Sequence, residues 1–243
     1  MNQNVILKAK TTPKEIVFVS PIMIDDFPNY PFQVKQDEDM RKLIESIRYE
    51  GVLTPLVVRP KENGRYELIS GHRRKYACQC LGLEQIPVIA CNFDQEEATI
   101  AMVDSNLQRE RILPSEKAVA YRMKLEALKH QGKRTDATCT PMEHKLVGSK
   151  TQEIVAEQYG ESREQIRRYV RLTYLIQELL KLVDDDKLGF RPAVELSYLT
   201  EEEQWYLSEL IESEKRIPTL SQALRMKRHS KDGMLDLIGF FTF

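Results

Sequence analysis

The chain has 243 residues, with 36 Lys+Arg against 37 Asp+Glu, 42% hydrophobic and 30% charged residues. That is enough chain for one or two domains with a buried core, and the balance excludes a fibrous or low-complexity protein. No apolar run approaches the roughly 18 residues of a membrane helix, the opening MNQNVILKAK lacks an export signal, and Cys78, Cys80, Cys91 and Cys139 match no zinc spacing, so reduced thiols in a cytoplasm are expected.

The first third alternates strand and helix signals. Glu15–Val19 is a β-rich run ended by Ser20-Pro21. From Asp37 to Glu50 the apolar residues Met40, Leu43, Ile44 and Ile47 follow the stripe of an amphipathic helix, closed by Gly51. Pro55–Arg59 and Arg65–Ser70 read as paired strands joined by a turn at Glu62-Asn63-Gly64. Gly71 breaks the second strand. His72–Leu81 reads as a helix with Tyr76, Ala77, Cys80 and Leu81 on one face, and Ile86–Ala90 as a further strand. The fold class expected is α+β, with a small mixed or antiparallel sheet up to residue 95.

After Gln95 the strand signals stop. Glu96–Val103 and Ser115–His130 read as helices, the second opened by Pro114 and ended by Gly132. Thr151–Tyr159, Ser162 to about Val183, and Arg191–Leu199 follow as helices. Thr200 and Glu203 form a capping box for a helix to about Glu212, and Pro218 introduces the last one. Charge is uneven: Asp104–Arg134 holds eight Lys/Arg and four Asp/Glu, and Asp184–Glu214 two and ten, which fits one basic working surface.

Three constellations carry chemistry. Ser70-Gly71-His72-Arg73-Arg74 lies between a strand and a helix, where free backbone N–H groups and the helix dipole favour an anion. Gly71 permits close approach, and two arginines add forked donors that match phosphate oxygens. Asn106 and Arg109, one turn apart at a helix end, can offer an amide and a guanidinium to one ligand. Gln152–Arg171 has the marks of a helix-turn-helix: Ala156 where two helices cross, Gly160 in the turn, Val155 and Tyr159 against Ile166 and Tyr169 or Val170. Its second helix exposes Ser162, Arg163, Glu164, Arg167 and Arg168, and Arg163, Arg167 and Arg171 line up as a basic stripe. Glu161 departs from the pattern, since that turn position is usually apolar. No catalytic residue stands out: the four histidines are scattered, and Ser20 and Ser70 have no evident His base.

Taken in order, PFQVK, GHRRKYA, SNLQRERILPSEKA and TQEIVAEQYGESREQIRRYVRLTYL resemble the ParB family of DNA-partition proteins, over about Ile16 to Leu199. The resemblance implies a nucleotide-binding α+β domain (1–95) followed by an all-α DNA-binding domain (96–217) with its helix-turn-helix at about 151–171. A C-terminal helical extension (218–243) follows, short of the family's dimerisation domain, as in a truncated chain or a shorter branch carried on mobile elements. The family's Gly-Glu-Arg-Arg box falls on Gly71, His72, Arg73 and Arg74, with His for Glu. Its Glu-Asn-x-x-Arg box falls on Ser105, Asn106 and Arg109, with Ser for Glu, and its Pro-x-Gln-Pro-Arg segment on Pro31–Lys35. The implied nucleotide-binding residues are Gln33, Ser70, Gly71, His72, Arg73, Arg74, Asn106 and Arg109, with Asn106 also toward Mg2+. Thr151, Gln152, Ser162, Arg163, Glu164, Arg167 and Arg168 are the implied DNA contacts.

The implied cofactors are CTP and Mg2+, with at most slow CTP hydrolysis. The implied partners are double-stranded DNA with a palindromic site, a ParA-like ATPase and a second copy of the chain, in the cytoplasm at the nucleoid and away from membranes. A helix-turn-helix transcription regulator, a ParB-like nuclease and a sulfiredoxin-like nucleotide-using enzyme stand as alternatives.

Overall fold

The computed structural model describes residues 15–109, 111–135 and 151–233. Five strands form one mixed sheet: β1 (Ile16–Val19), β2 (Ile24–Asp25), β3 (Leu56–Pro60), β4 (Tyr66–Ser70) and β5 (Ile86–Ala90), in the order β1-β5-β3-β4-β2. β1 runs antiparallel to β5, β3 antiparallel to β4, and the β3–β5 and β2–β4 pairs are parallel. Alternation places Leu56, Val58, Ile86 and Val88 in one core with Met40 and Ile47 of α1 (Glu38–Glu50) and Ala77 and Cys78 of α2 (His72–Cys80). β4 is buried on both faces: Leu68 joins that core, and Glu67 and Ile69 point the other way. α3 (Gln95–Asn106) packs against β4, its start fixed by an Asp94–Glu97 capping box.

The helical half comprises α4 (Pro114–Thr135), α5 (residues 151–159), α6 (Arg163–Leu172), α7 (Gln177–Asp184), α8 (Phe190–Leu196), α9 (Glu201–Glu214) and α10 (Leu220–Lys231). Leu172, Leu179, Leu188, Leu196, Leu207 and Met226 are the most deeply buried of the large residues in its core. The chain divides into two compact units. One takes the sheet, α1–α3 and the part of α4 from Glu126; the other takes Arg111–Leu125 and the helices after it. The division falls after α3, so Asn106 stays with the sheet.

Four features differ from the sequence reading. β2 is too short to announce itself; it is held by parallel pairing to β4 and by Asp25, which accepts from Arg65 and Lys61 at 2.9 Å each. These two cations hold the Asp25 carboxyl well below the usual carboxylate range. α4 runs through Gly132 to Thr135, since a helical glycine costs only about 1 kcal/mol relative to alanine. The buried face of α2 is His72, Lys75, Ala77 and Cys78, with Cys80 exposed.

The fourth is the helix expected from Ser162 to Val183, which breaks between α6 and α7. The buried side chain of Gln204 accounts for the break: it accepts from the Ile176 N–H at 2.9 Å and donates to the carbonyls of Tyr174 and Leu199 at 3.1 Å each. The Tyr174 carbonyl and Ile176 N–H left by the interruption are thereby satisfied inside the protein.

Candidate functional site

The sheet unit gathers its candidate residues at the β4–α2 junction. Gly71 is the N-cap of α2 at φ 110°, ψ 24°, a backbone conformation that side-chain-bearing residues avoid. A Cβ there would lie 2.8 Å from Leu56 Cγ, so the glycine is also what lets α2 close onto β3. Ser70, half-buried, ends β4. Arg74 turns back to the loop before β3, donating to the carbonyls of Thr54 and, at 2.9 Å, Pro55. Arg73 reaches Asp37, the N-cap of α1, at 3.3 Å.

His72 occupies the position where the family pattern has Glu. It is 5% exposed, and neither ring nitrogen has a hydrogen-bond partner. Its face stacks on Tyr30, with centroids 3.5 Å apart and planes at 10°. Burial, helped by the cations Lys75 and Arg109 against the opposing pull of Asp26, pushes its pKa down to about 3, so the imidazole is neutral at pH 7. Lys75, one turn along α2 and itself buried, donates to Asp26 at 2.7 Å.

Tyr30 ties this junction to the end of α3. Its hydroxyl donates to Asn106 Oδ1 at 2.7 Å and accepts from Arg109 Nη2 at 3.0 Å. The amide of Asn106, 3% exposed, is otherwise spent on the Met102 carbonyl at 2.8 Å and Ser105 Oγ at 3.2 Å. The Arg109 guanidinium also lies 5.3 Å from the centre of the Phe32 ring. The structure therefore brings His72, Asn106 and Arg109 together, sends Arg73 and Arg74 to neighbouring loops, and leaves Gln33 exposed beside buried Phe32. Sequence reasoning passed over Tyr30, Asp26 and Lys75. Two signals were present: an aromatic on each side of Pro31, and a third cation following GHRR.

Among the described residues no group of three or more His, Cys, Asp or Glu could hold a metal ion. Asn106 Oδ1 is the one oxygen assigned toward Mg2+ by resemblance, and here it accepts from Tyr30. Cys78 is fully buried and its thiol pushed up by that burial, the opposite of what a reactive thiolate needs.

The second site is built from α5, its turn and α6. Gly160 adopts φ 64°; the Gly160 N–H bonds to Glu157 O and the Glu161 N–H to Ala156 O. That is the Schellman arrangement that ends a helix. Its last position prefers an apolar residue. Glu161 is accommodated instead by Lys117 of α4, which ion-pairs with it and lies over the Tyr169 ring. Ser162 caps α6, accepting from the Gln165 N–H at 3.0 Å. Val155, Ala156, Ile166 and Leu172 are buried, which pins α6 to its neighbours and leaves its other face outside.

On that outer face Ser162, Arg163, Glu164 and Arg167 are exposed and Arg168 is half-buried. Arg163 pairs with Glu153 at 2.9 Å, and Glu164 with Arg167 at 3.4 Å and Arg168 at 3.6 Å. Such exposed pairs are worth about 0.2–1 kcal/mol, so a phosphate can displace them. Thr151 is buried and Gln152 half-buried on α5. Arg171 leaves the expected stripe: it donates to Ser197 and lies against the rings of Tyr174 and Tyr198.

Family models for the ParB N-terminal domain and the ParB HTH domain match residues 7–107 and 144–225. A nucleoid occlusion protein of Listeria innocua is 36% identical over 181 residues, which cover 73% of this chain and 56% of the relative. The chromosome-partitioning protein Spo0J of Thermus thermophilus is 31% identical over 216 residues, covering 86% of this chain and 72% of its own. The chain thus spans little more than half the length of the Listeria relatives. A solved Pnob8-like ParB-N domain matches with a TM-score of 0.51 at 14% identity, over 93% of this chain and 96% of its own, a likeness of fold.

Proposed function

Because this chain belongs to the ParB family, we propose that it is a partition-type DNA-binding protein whose sheet unit takes a nucleoside triphosphate. The observation that carries the DNA reading is the α5–turn–α6 geometry. A Schellman turn and a buried apolar seam present Ser162, Arg163, Glu164, Arg167 and Arg168 on one accessible face. A helix so mounted suits the major groove, with its N-terminal residues at base edges and its arginines at phosphates or guanines. Gln152, half-buried at the start of the other helix, would position it on the phosphate backbone, with buried Thr151 beside it. Two copies related by a twofold axis would read a palindromic site. A ParA-like ATPase as partner and a place at the nucleoid in the cytoplasm rest on the family resemblance. Among the described residues no helix is long and apolar enough to cross a membrane.

For the nucleotide, the Gly71 junction, the unpartnered His72 and the half-buried Arg73 and Arg109 support a polyphosphate. The choice of CTP rests on the resemblance. Mg2+ would take most of its ligands from phosphates and water, with Asn106 as a neutral protein oxygen. Ser105, where the family pattern has Glu, offers no carboxylate to orient water or hold the metal, so hydrolysis is slow.

The test of the DNA reading is the double variant Arg167→Ala/Arg168→Ala. Binding to the specific site should weaken, and the salt dependence of log K should flatten by roughly one unit of slope for each phosphate that is no longer neutralised. A folded double variant with unchanged affinity and slope would remove α6 from the interface.

A further inference from the structure

At the β4–α2 junction the chain itself supplies an occupant. Tyr30 sits half-buried in the loop between β2 and α1. Its hydroxyl receives the Arg109 guanidinium at 3.0 Å, as an anionic ligand oxygen would, and occupies Asn106 Oδ1 at 2.7 Å. Its ring lies flat on His72 at 3.5 Å. Beneath it His72 is buried with both nitrogens unpartnered, a state that carries the full desolvation penalty of those groups. A buried imidazole without partners at a strand–glycine–helix junction is a group waiting for a ligand atom. Here an aromatic ring covers it.

Tyr30 sits between two anchored residues. Phe27 and Phe32, on either side of it, are 3% and 2% exposed and anchor the flanks. Between them the chain makes a tight turn, with Asn29 at φ 53° and the Tyr30 N–H on Phe27 O at 3.2 Å. Rotation about the Tyr30 side-chain bonds would free His72, Asn106 and Arg109 together without unseating either phenylalanine. The residue at position 72 completes the device. A carboxylate there would give the tyrosine ring nothing to stack on, whereas the neutral imidazole supplies a flat partner.

We infer that Tyr30 is an internal plug of the polyphosphate site, held by Asn106, Arg109 and the His72 ring, and that a polyphosphate binds only by displacing it. The inference rests on the nucleotide reading proposed above. It has a directional consequence. A residue that merely positions Arg109 for the ligand would, when weakened, lower affinity; a plug, when weakened, raises it.

The experiment titrates the full chain and its Tyr30→Phe variant with CTP plus Mg2+, and separately with inorganic tripolyphosphate, by calorimetry. Tyr30→Phe keeps the stack and removes the hydroxyl's bonds to Asn106 and Arg109, so both ligands should bind roughly tenfold tighter or more, the scale of one neutral and one charge-assisted hydrogen bond. Equal or weaker binding by the folded variant, or a gain with CTP and none with tripolyphosphate, overturns the plug. A second measurement uses the unaltered protein. The His72 ring protons, shielded by Tyr30 in the free state, should move downfield by NMR at saturating CTP; persistent shielding overturns it too. If neither ligand binds either protein, the nucleotide reading itself fails and takes the plug with it.

Discussion

Arg74 and Arg168 carry the same fork of donors, and the two halves of the molecule use it in opposite ways. In the sheet unit Arg74 holds the carbonyls of Thr54 and Pro55, and Arg73 reaches the N-cap of α1. In the helical unit Arg167 and Arg168 pair with Glu164 on the outside of a helix. The difference lies in what builds each scaffold. α6 is fixed by Val155, Ala156, Ile166 and Leu172, which are apolar and buried, so Arg167 and Arg168 on its outer face need not serve its packing. The β4–α2 junction is fixed partly by the motif residues themselves. A substitution in the box therefore alters folding and binding together, and one on the outer face of α6 separates them.

Gly71→Ala should expose this coupling with the largest effect. The new Cβ would meet Leu56 Cγ at 2.8 Å, and Leu56 is fully buried. Overpacking costs about 1–3 kcal/mol and the unfavourable backbone at φ 110° a similar amount, so a loss of about 3–4 kcal/mol is expected in urea unfolding. Leu56→Ala alone should cost about 2–5 kcal/mol as a core cavity, and in the double-mutant cycle the coupling between the two changes should return the steric part of the Gly71→Ala loss and leave the backbone part. A Gly71→Ala protein within about 1 kcal/mol of the unaltered chain would show that the junction is not a packing element.

What could be read from the sequence follows the same line. Local rules sufficed where a local pattern decides: the stripe of α1 closed by Gly51, the Thr200–Glu203 capping box, β5 at Ile86–Ala90, and Gly160 in the turn. They failed where the deciding partner is distant. Gln204 is 28 residues from the Ile176 N–H it accepts from, so nothing near Thr173 announces a helix break. Tyr30 is 76 residues from Asn106 and 79 from Arg109, and its role exists only once β2, α2 and α3 are assembled. Arg171 fits the basic stripe by spacing, yet Ser197 and two tyrosines capture it.

Gln204→Leu tests whether the helical unit is as free of polar joints as its outer face implies. The variant keeps the volume and strands the Ile176 N–H and the carbonyls of Tyr174 and Leu199. A loss of about 2–3 kcal/mol is expected, short of three full penalties because groups at a break can recruit water. Arg167→Ala/Arg168→Ala should stay within about 0.5 kcal/mol in the same assay. If Gln204→Leu is as silent as the arginine pair, the α6–α7 break has another cause.

The smallest loss expected in the sheet unit belongs to His72 and is read from pH. Its folded-state pKa, about 3, lies below the roughly 6.5 of an unfolded histidine, so the folded protein binds fewer protons between those values. Stability from this group is fully present above pH 6.5 and is lost as pH falls toward 3. Between pH 8 and pH 5 the expected loss is about 2 kcal/mol. The charged groups acting on the ring are Asp26, which favours its protonation, and Lys75 and Arg109, which oppose it. His72→Phe keeps a flat ring under Tyr30 and removes the titration, so its urea stability should fall less over the same interval, by that difference. The helical unit provides the contrast: none of its described histidines is buried, and variants there should leave this pH step in place. A step of equal size in the unaltered protein and in His72→Phe would place the proton elsewhere, and with it the account of a neutral imidazole beneath Tyr30.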